Sequence, residues 1–88
     1  MEEDYSWIIR GKQKKKIIKV MNKPKIPTQI KEETHLSLNN VSDVLREFRK
    51  KKIVKVLNPK EKTGRLYKLT PKGMKIREMI EEYGKIYK

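Results

Sequence analysis

The stretch that most constrains the fold runs from residue 26 to residue 48, IPTQIKEETHLSLNNVSDVLREF. In its second half, apolar side chains recur at steps of three and four residues, which places them on one side of an α-helix. These side chains are Leu38, Val41, Val44, Leu45 and Phe48. Ser37 precedes them, where its hydroxyl can accept a backbone N–H that the first helical turn leaves unpaired. The stretch therefore predicts two short helices joined by a tight turn, and the second helix is amphipathic.

Length and charge limit the classes of protein to which the chain can belong. Eighty-eight residues support one domain with a modest core, so we expect residues 1–88 to form a single domain. Lysine and arginine number 24 against 11 acidic residues, a net charge of +13, which indicates a polyanionic partner, nucleic acid ahead of anionic membrane. No run approaches the ~20 apolar residues of a membrane span, so we expect a cytoplasmic protein without a membrane partner.

The chain offers little material for catalysis or for a cofactor. Cysteine is absent, which excludes disulfides and thiolate metal sites, and His35 is the single histidine. No glycine-rich phosphate loop and no acidic metal cluster is present. We therefore expect no enzyme, no cofactor, no metal and no small-molecule ligand, and a structural role for His35 rather than a phosphate contact.

The remaining segments follow from helix breakers, strand formers and turn residues. Pro24 and Pro27 disfavour helix before them, and the run from Asn58 to Gly64 has turn chemistry between β-branched segments. Thr70 is placed to cap a last helix that begins at Pro71. The predicted elements are an N-terminal arm over 1–9, helices over 12–22, 28–34 and 38–51, a β-hairpin over 53–69 with its turn at 58–64, and a helix over 71–88.

Three blocks resemble a known family when they are taken in order. They are LSLNNVSDVLREFRKKKIV over 36–54, TGRLYKLT over 63–70 and the following PKG. The chain resembles winged helix-turn-helix transcription regulators from about Arg10 to Arg77, especially small archaeal proteins similar to the ArsR and MarR groups. The resemblance implies an α+β, mostly α fold with a three-helix core, a β-hairpin wing and a C-terminal helix. Without cysteine, thiolate metal sensing of the ArsR kind is not expected.

Between residues 26 and 35 the sequence departs from the family pattern at three positions, and Asp43 departs from it further along. Ile26 stands where a capping threonine or serine is usual, so we expect the second helix to rely on Thr28 or on water for its cap. Lys31 replaces a small residue, and His35 replaces the glycine of the turn. A left-handed turn would strain a residue other than glycine, although histidine tolerates it better than most.

The resemblance places the helix over 38–51 in the DNA major groove and the wing over 58–65 on the backbone or minor groove. Asparagine can pair with adenine and arginine with guanine. Asp43 can accept from a cytosine amino group, brace Arg46, or serve only as an intramolecular partner. The basic run over 10–25 holds eight cations and no acid, which fits either a phosphate-facing surface or a solvated one. The expected DNA contacts are Thr28, Gln29, Ser37, Asn39, Asn40, Ser42, Asp43, Arg46, Arg49, Lys50, Lys60, Lys62, Arg65, Lys12 and Lys15.

The last helix carries a longer apolar stripe than a small domain needs for its own core. We expect this stripe, together with the indole of Trp7, to form a homodimer interface. The alternative is a monomer whose last helix folds back on the first. The expected interface residues are Trp7, Ile76, Met79, Ile80, Tyr83 and Tyr87.

These features favour a double-stranded DNA-binding transcriptional regulator associated with the nucleoid. The alternative is a sequence-nonspecific architectural protein that coats or bridges DNA like a chromatin protein, which the charge and small size also fit. A winged helix used for protein contact is a third class. The amides of Asn39 and Asn40 favour sequence reading, because phosphate binding alone does not require them.

Overall fold

The computed structural model describes the backbone of residues 2–86 and the side chains of residues 3–83. Five helices and one two-stranded antiparallel sheet lie in this part of the chain, so the expected α+β, mostly α architecture is confirmed. The elements are α1 (Glu2–Ile9), α2 (Lys12–Val20), α3 (Pro27–Thr34), α4 (Leu38–Lys50), β1 (Val54–Val56), β2 (Tyr67–Leu69) and α5 (Pro71–Ile86).

Helices α2, α3 and α4 pack together as the expected three-helix core. The turn between α3 and α4 is made by His35, whose φ of 61° is left-handed and whose N–H donates to the Lys31 carbonyl at 2.8 Å. Helix α4 begins as predicted, because the Ser37 hydroxyl accepts the Asn40 N–H at 3.1 Å. The predicted apolar face of α4 is buried except for Leu38, whose side chain is 42% exposed. Leu38 is therefore wrongly assigned to the core.

The start of α3 uses a different cap from the expected one. Ile26 has no side-chain acceptor, and Pro27 occupies the first helical position. The Gln29 side-chain oxygen instead accepts the Ile26 N–H at 3.0 Å. One half of a reciprocal capping arrangement therefore forms, and the hydrogen bond expected from Thr28 or water comes from Gln29.

The N-terminal arm is a helix rather than an extended segment. Ile8 of α1 is fully buried in the core. The Trp7 ring meets Phe48 of α4 edge to face, with 5.9 Å between ring centroids, and the Tyr5 ring meets Tyr83 of α5 in the same manner at 5.6 Å. Helix α1 is thereby fixed between α4 and α5.

The wing sheet pairs Val54 with Leu69 and Val56 with Tyr67. Lys25 adds a one-residue bridge on the other side of Tyr67, with backbone hydrogen bonds of 3.0 and 2.9 Å. The bridge lies between Pro24 and Pro27, which disfavour a helix in this segment. It ties the segment before α3 to the base of the wing.

The junction between α4, the sheet and α5 is closely bonded. The Thr70 hydroxyl donates to the Lys52 carbonyl at 2.6 Å and accepts the Gly73 N–H at 3.2 Å, so the predicted cap is confirmed. Gly73 packs directly against the Ile53 carbonyl, and a Cβ there has no room. Lys52 itself is left-handed, with φ 62°. Helix α5 then returns across α1 and α2.

Candidate nucleic-acid interface

The outward face of α4 is a narrow polar stripe. At 3.6 residues per turn, four of its side chains fall within an arc of about 60° on the side opposite Val41 and Phe48. All four are exposed, and they present one amide, one carboxylate and two cations. These side chains are Asn39, Asp43, Arg46 and Lys50, and this set is called the α4 face below.

Two of the other expected contacts on α4 lie at the margins of this face. Asn40 turns towards α2 and is half-buried, and Ser42 is half-buried on the opposite flank. Asn40 lines a groove of about 310 Å³ between the start of α2 and the middle of α4, beside Lys12 and Glu47. Lys12 is therefore brought next to the α4 face, although the sequence places it far away.

Asp43 and Arg46 are joined on the α4 face. The Arg46 Nη1 donates to the Asp43 carboxylate at 3.3 Å, and the two side chains are 67% and 66% exposed. The pair is solvated, so it contributes little to folding. One guanidinium nitrogen is engaged while the others point to solvent, which leaves Arg46 able to bind a second acceptor.

Residues at the start of α3 and α4 are partly committed to the fold. Thr28 is exposed, whereas the exposed Gln29 uses its oxygen to cap α3. The Ser37 oxygen caps α4 and can still donate its hydrogen. Arg49 is exposed on the flank of α4, next to the stripe.

The wing loop is held in one shape by a residue that the sequence did not single out. Asn58 accepts the Leu66 N–H at 2.7 Å and donates to the Gly64 carbonyl at 3.3 Å. Gly64 has φ 64°, which glycine adopts without strain. An asparagine before a proline at the start of a loop is the signal that identifies such a clamp.

The cationic side chains of the wing differ in whether the loop binds them. The Arg65 Nε donates to the Glu61 carbonyl at 2.8 Å, so Arg65 braces the loop and is half-buried. Lys60 and Lys62 are exposed at the tip. The tip therefore presents two exposed charges on a braced loop.

The start of α5 and the residue that follows α4 form an ion-pair cluster with α1. Lys72 donates to the Asp4 carboxylate at 2.7 Å, and the Lys51 ammonium lies 3.7 Å from the same carboxylate. The hydrogen bond from Lys72 lowers the pKa of Asp4 below its ordinary value. Lys51 and Lys14 also lie over the Trp7 ring, 4.8 and 3.9 Å from its centroid.

The basic run over 10–25 separates into structural and exposed residues. Lys25 is 3% exposed, donates to the Val20 carbonyl and pairs with Glu33 at 2.8 Å. Lys14 is engaged with the Trp7 ring. The exposed residues of the run are Arg10, Lys12, Lys15, Lys16, Lys19 and Lys23.

The expected interface residues do not form one surface. Ile76 and Ile80 are 0% and 3% exposed within the core of the same chain, so they offer no area to a second copy. Trp7 is half-buried between α1 and α4, where its ring contacts Phe48. Met79 is half-buried, and Tyr83 is 42% exposed. Tyr87 lies outside the described residues.

Within residues 3–83, no group of three histidine, aspartate or glutamate side chains is placed to hold a metal ion. Among the helices that the structure describes, none has the length and hydropathy of a membrane span.

A comparison with protein families agrees with the geometry. A family model described as winged helix-turn-helix matches residues 14–88, which extend from α2 through the wing and along α5. No match was found among curated proteins or among solved structures.

Proposed function

Since the chain belongs to the winged helix-turn-helix family, we propose that it is a double-stranded DNA-binding transcriptional regulator whose α4 reads bases in the major groove. The observation that carries the proposal is the α4 face. Its four side chains hold an amide, a guanidinium, an ammonium and a carboxylate within one exposed stripe. These groups match donor and acceptor patterns on base edges, whereas a purely phosphate-binding face needs cations alone.

The dimensions of α4 suit the groove. Thirteen residues give a rod of about 20 Å, and the major groove is about 12 Å wide, enough for one helix. Asn39 lies near the N-terminal end of α4, the end that enters the groove in helix-turn-helix docking. Arg49 and Lys50 lie near the other end, where they reach flanking phosphates. In this arrangement bases are selected by Asn39, Asp43 and Arg46, and the last turn of α4 attracts the flanking phosphates.

The wing supports a second contact. Asn58 and Arg65 hold the loop, so the ammonium groups of Lys60 and Lys62 extend from a braced support. A braced loop loses less conformational entropy on binding than a loose one. Backbone or minor-groove contact by these lysines does not depend on base sequence.

The second candidate is an architectural DNA-binding protein without sequence preference. The net charge of +13 favours it, because phosphate attraction of this size acts on every duplex. The Asp43 carboxylate argues against it. A protein selected only for affinity gains nothing from an acid at the centre of its DNA-facing helix, where phosphates repel that acid.

Three finer expectations belong to the same proposal. Association with the nucleoid follows from DNA binding. The kinship with small archaeal regulators similar to the ArsR and MarR groups rests on the blocks over 36–54 and 63–73. A homodimer rests on the surface left by Met79 and Tyr83 on α5, and it would set the spacing of two half-sites at about one helical turn.

Two alanine variants test the proposal. Arg46→Ala is expected to reduce the preference for a selected site by about 1–3 kcal/mol at one base pair, because a bidentate base contact is lost. Lys62→Ala is expected to weaken all duplexes equally and to lower the salt slope by about 0.9. The measurement is fluorescence anisotropy on duplexes that differ at single base pairs, over a salt series. Equal losses from both variants on every duplex would reject base reading by Arg46.

A further inference from the structure

One strongly charged surface lies outside the proposed interface. Helix α2 has the sequence KQKKKIIKV and contains no acidic residue. Its exposed lysines recur at intervals of three and four, which places them within an arc of about 100°. They are Lys12, Lys15, Lys16 and Lys19, and this set is called the α2 stripe below.

The α2 stripe lies on the side of α2 that is turned away from the core. Ile17 and Ile18, which are fully buried, lie on the opposite side of α2 and face the core that α2 shares with α3 and α4. The stripe begins beside the groove that Lys12 shares with Asn40 and ends where Arg77 of α5 donates to the Lys19 carbonyl at 3.1 and 3.2 Å. It therefore starts at the margin of the α4 face and runs along α2 to α5.

The lysines of the stripe are not compensated within the described part of the chain. Lys12 and Lys16, and likewise Lys15 and Lys19, are like charges four residues apart, an arrangement that destabilises a helix. Among residues 3–83 no carboxylate forms an ion pair with any of the four. The nearby Glu81 is engaged by Arg77 at 3.1 Å. A polyanion bound along the stripe would relieve this repulsion.

We propose that the α2 stripe binds the sugar–phosphate backbone of a second DNA duplex, so that one chain contacts two duplexes, one through α4 and one through α2. The stripe spans about 10 Å along the α2 axis. Ten ångströms of duplex present about six phosphate charges, enough for three or four ammonium groups. This inference rests on the proposed function, because it requires that the α4 face holds the first duplex.

The test uses the variant Lys15→Gln/Lys16→Gln/Lys19→Gln of the full chain. Lys12 is kept because it borders the α4 face. The matched control is Lys31→Gln/Lys55→Gln/Lys75→Gln, which removes the same charge from three exposed positions on α3, β1 and α5. An immobilised duplex is incubated with protein and a fluorescent duplex, and retention of the fluorescent duplex measures bridging. Anisotropy with a single duplex over a salt series measures the first contact.

The stripe variant is expected to lose bridging and to keep its binding to the first duplex. The wild type and the control variant retain the second duplex, whereas the stripe variant retains only background. The salt slope for the first duplex stays unchanged in the stripe variant. A salt slope that falls by about 2.7 would mean that the three lysines contact phosphates of the first duplex, and it would overturn the inference.

Further outcomes would also overturn the inference. Retention of the second duplex by the stripe variant would assign bridging to two α4 faces in a dimer and would overturn the inference. A wild type that binds one duplex but never retains a second leaves the proposed function standing and rejects the second site alone. If the wild type binds no duplex, the proposed function and the inference both fail.

Discussion

The Asp43 carboxylate lies 3.3 Å from the guanidinium of Arg46, one helical turn away on the exposed face of α4. Because both side chains are about two-thirds exposed, the pair contributes at most about 1 kcal/mol to folding. The pair affects the direction of the Arg46 side chain and the charge of the α4 face. Asp43 holds one nitrogen of Arg46 along the helix, and its own charge opposes any phosphate that approaches the face.

Asp43→Asn is expected to tighten binding to every duplex and to narrow the gap between selected and randomised DNA. The repulsion from phosphates disappears, and Arg46 loses its partner. Glu47→Gln is the matched control, since Glu47 is an exposed acid on the same helix that lies outside the arc of the α4 face. The control should tighten binding without changing the gap. Anisotropy on both duplex pools checks this, and an unchanged gap in Asp43→Asn would remove Asp43 from specificity.

Gly73→Ala is expected to destabilise the protein by about 1–3 kcal/mol or more, because the new methyl group collides with the Ile53 carbonyl. Helix propensity alone predicts the opposite sign, since alanine is favoured over glycine within a helix. Denaturant unfolding followed by circular dichroism measures the change. Lys75→Ala, at an exposed position of α5, is the control and should alter the free energy of unfolding by less than about 0.5 kcal/mol. A Gly73→Ala variant more stable than the wild type would contradict the close approach of Gly73 to the Ile53 carbonyl.

His35→Gly is expected to stabilise the protein by roughly 0.5 kcal/mol. The left-handed backbone at φ 61° costs a non-glycine residue about 1 kcal/mol, and the extra freedom of glycine in the unfolded chain offsets part of the gain. His35 is exposed, so no packing is lost. His35→Ala keeps the strain and should show no gain. Equal free energies of unfolding for the two variants would show that the left-handed backbone at residue 35 does not cause the change in stability.

Asp4→Asn is expected to lower stability at neutral pH and to leave it unchanged in strong acid. The pKa of Asp4 is lowered in the folded protein by its hydrogen bond from Lys72. The carboxylate therefore stabilises the fold above its ordinary pKa of 3.8, and this contribution is lost as the pH falls through the lower folded-state value. Unfolding free energies of the wild type and the variant, measured from pH 7 downwards, should converge below pH 4. A constant difference across that range would show that the pair does not act through its charge.

Much of the fold follows from local signals in the sequence. The period of apolar residues on α4 and the caps by Ser37 and Thr70 are local features, and each predicts its helix. The left-handed turn at His35 was also predictable, because the family has glycine there. The helix over residues 2–9 was not, since its period is weak and its stability comes from the packing of Ile8 and Trp7.

The site was harder to predict than the fold. Sequence spacing assigns residues to a helix face, but it does not identify the neighbours that engage them. Lys25 and Lys14 look like surface charges in the basic run, and the structure shows Lys25 buried against Glu33 and Lys14 stacked on the Trp7 ring. Ile76 and Ile80 look like a surplus stripe, and the docked helix α1 completes the core that buries them. Such tertiary contacts have no local signal.

Base reading by the α4 face can be tested by comparing two pools of duplex DNA. Duplexes are selected by the protein from a genomic pool, and their affinity is compared with that of randomised duplex by anisotropy at several salt concentrations. We expect the selected sites to bind about 10³-fold more tightly or better at physiological salt. Equal affinity for both pools would contradict the claim and would identify an architectural protein that binds the phosphate backbone alone.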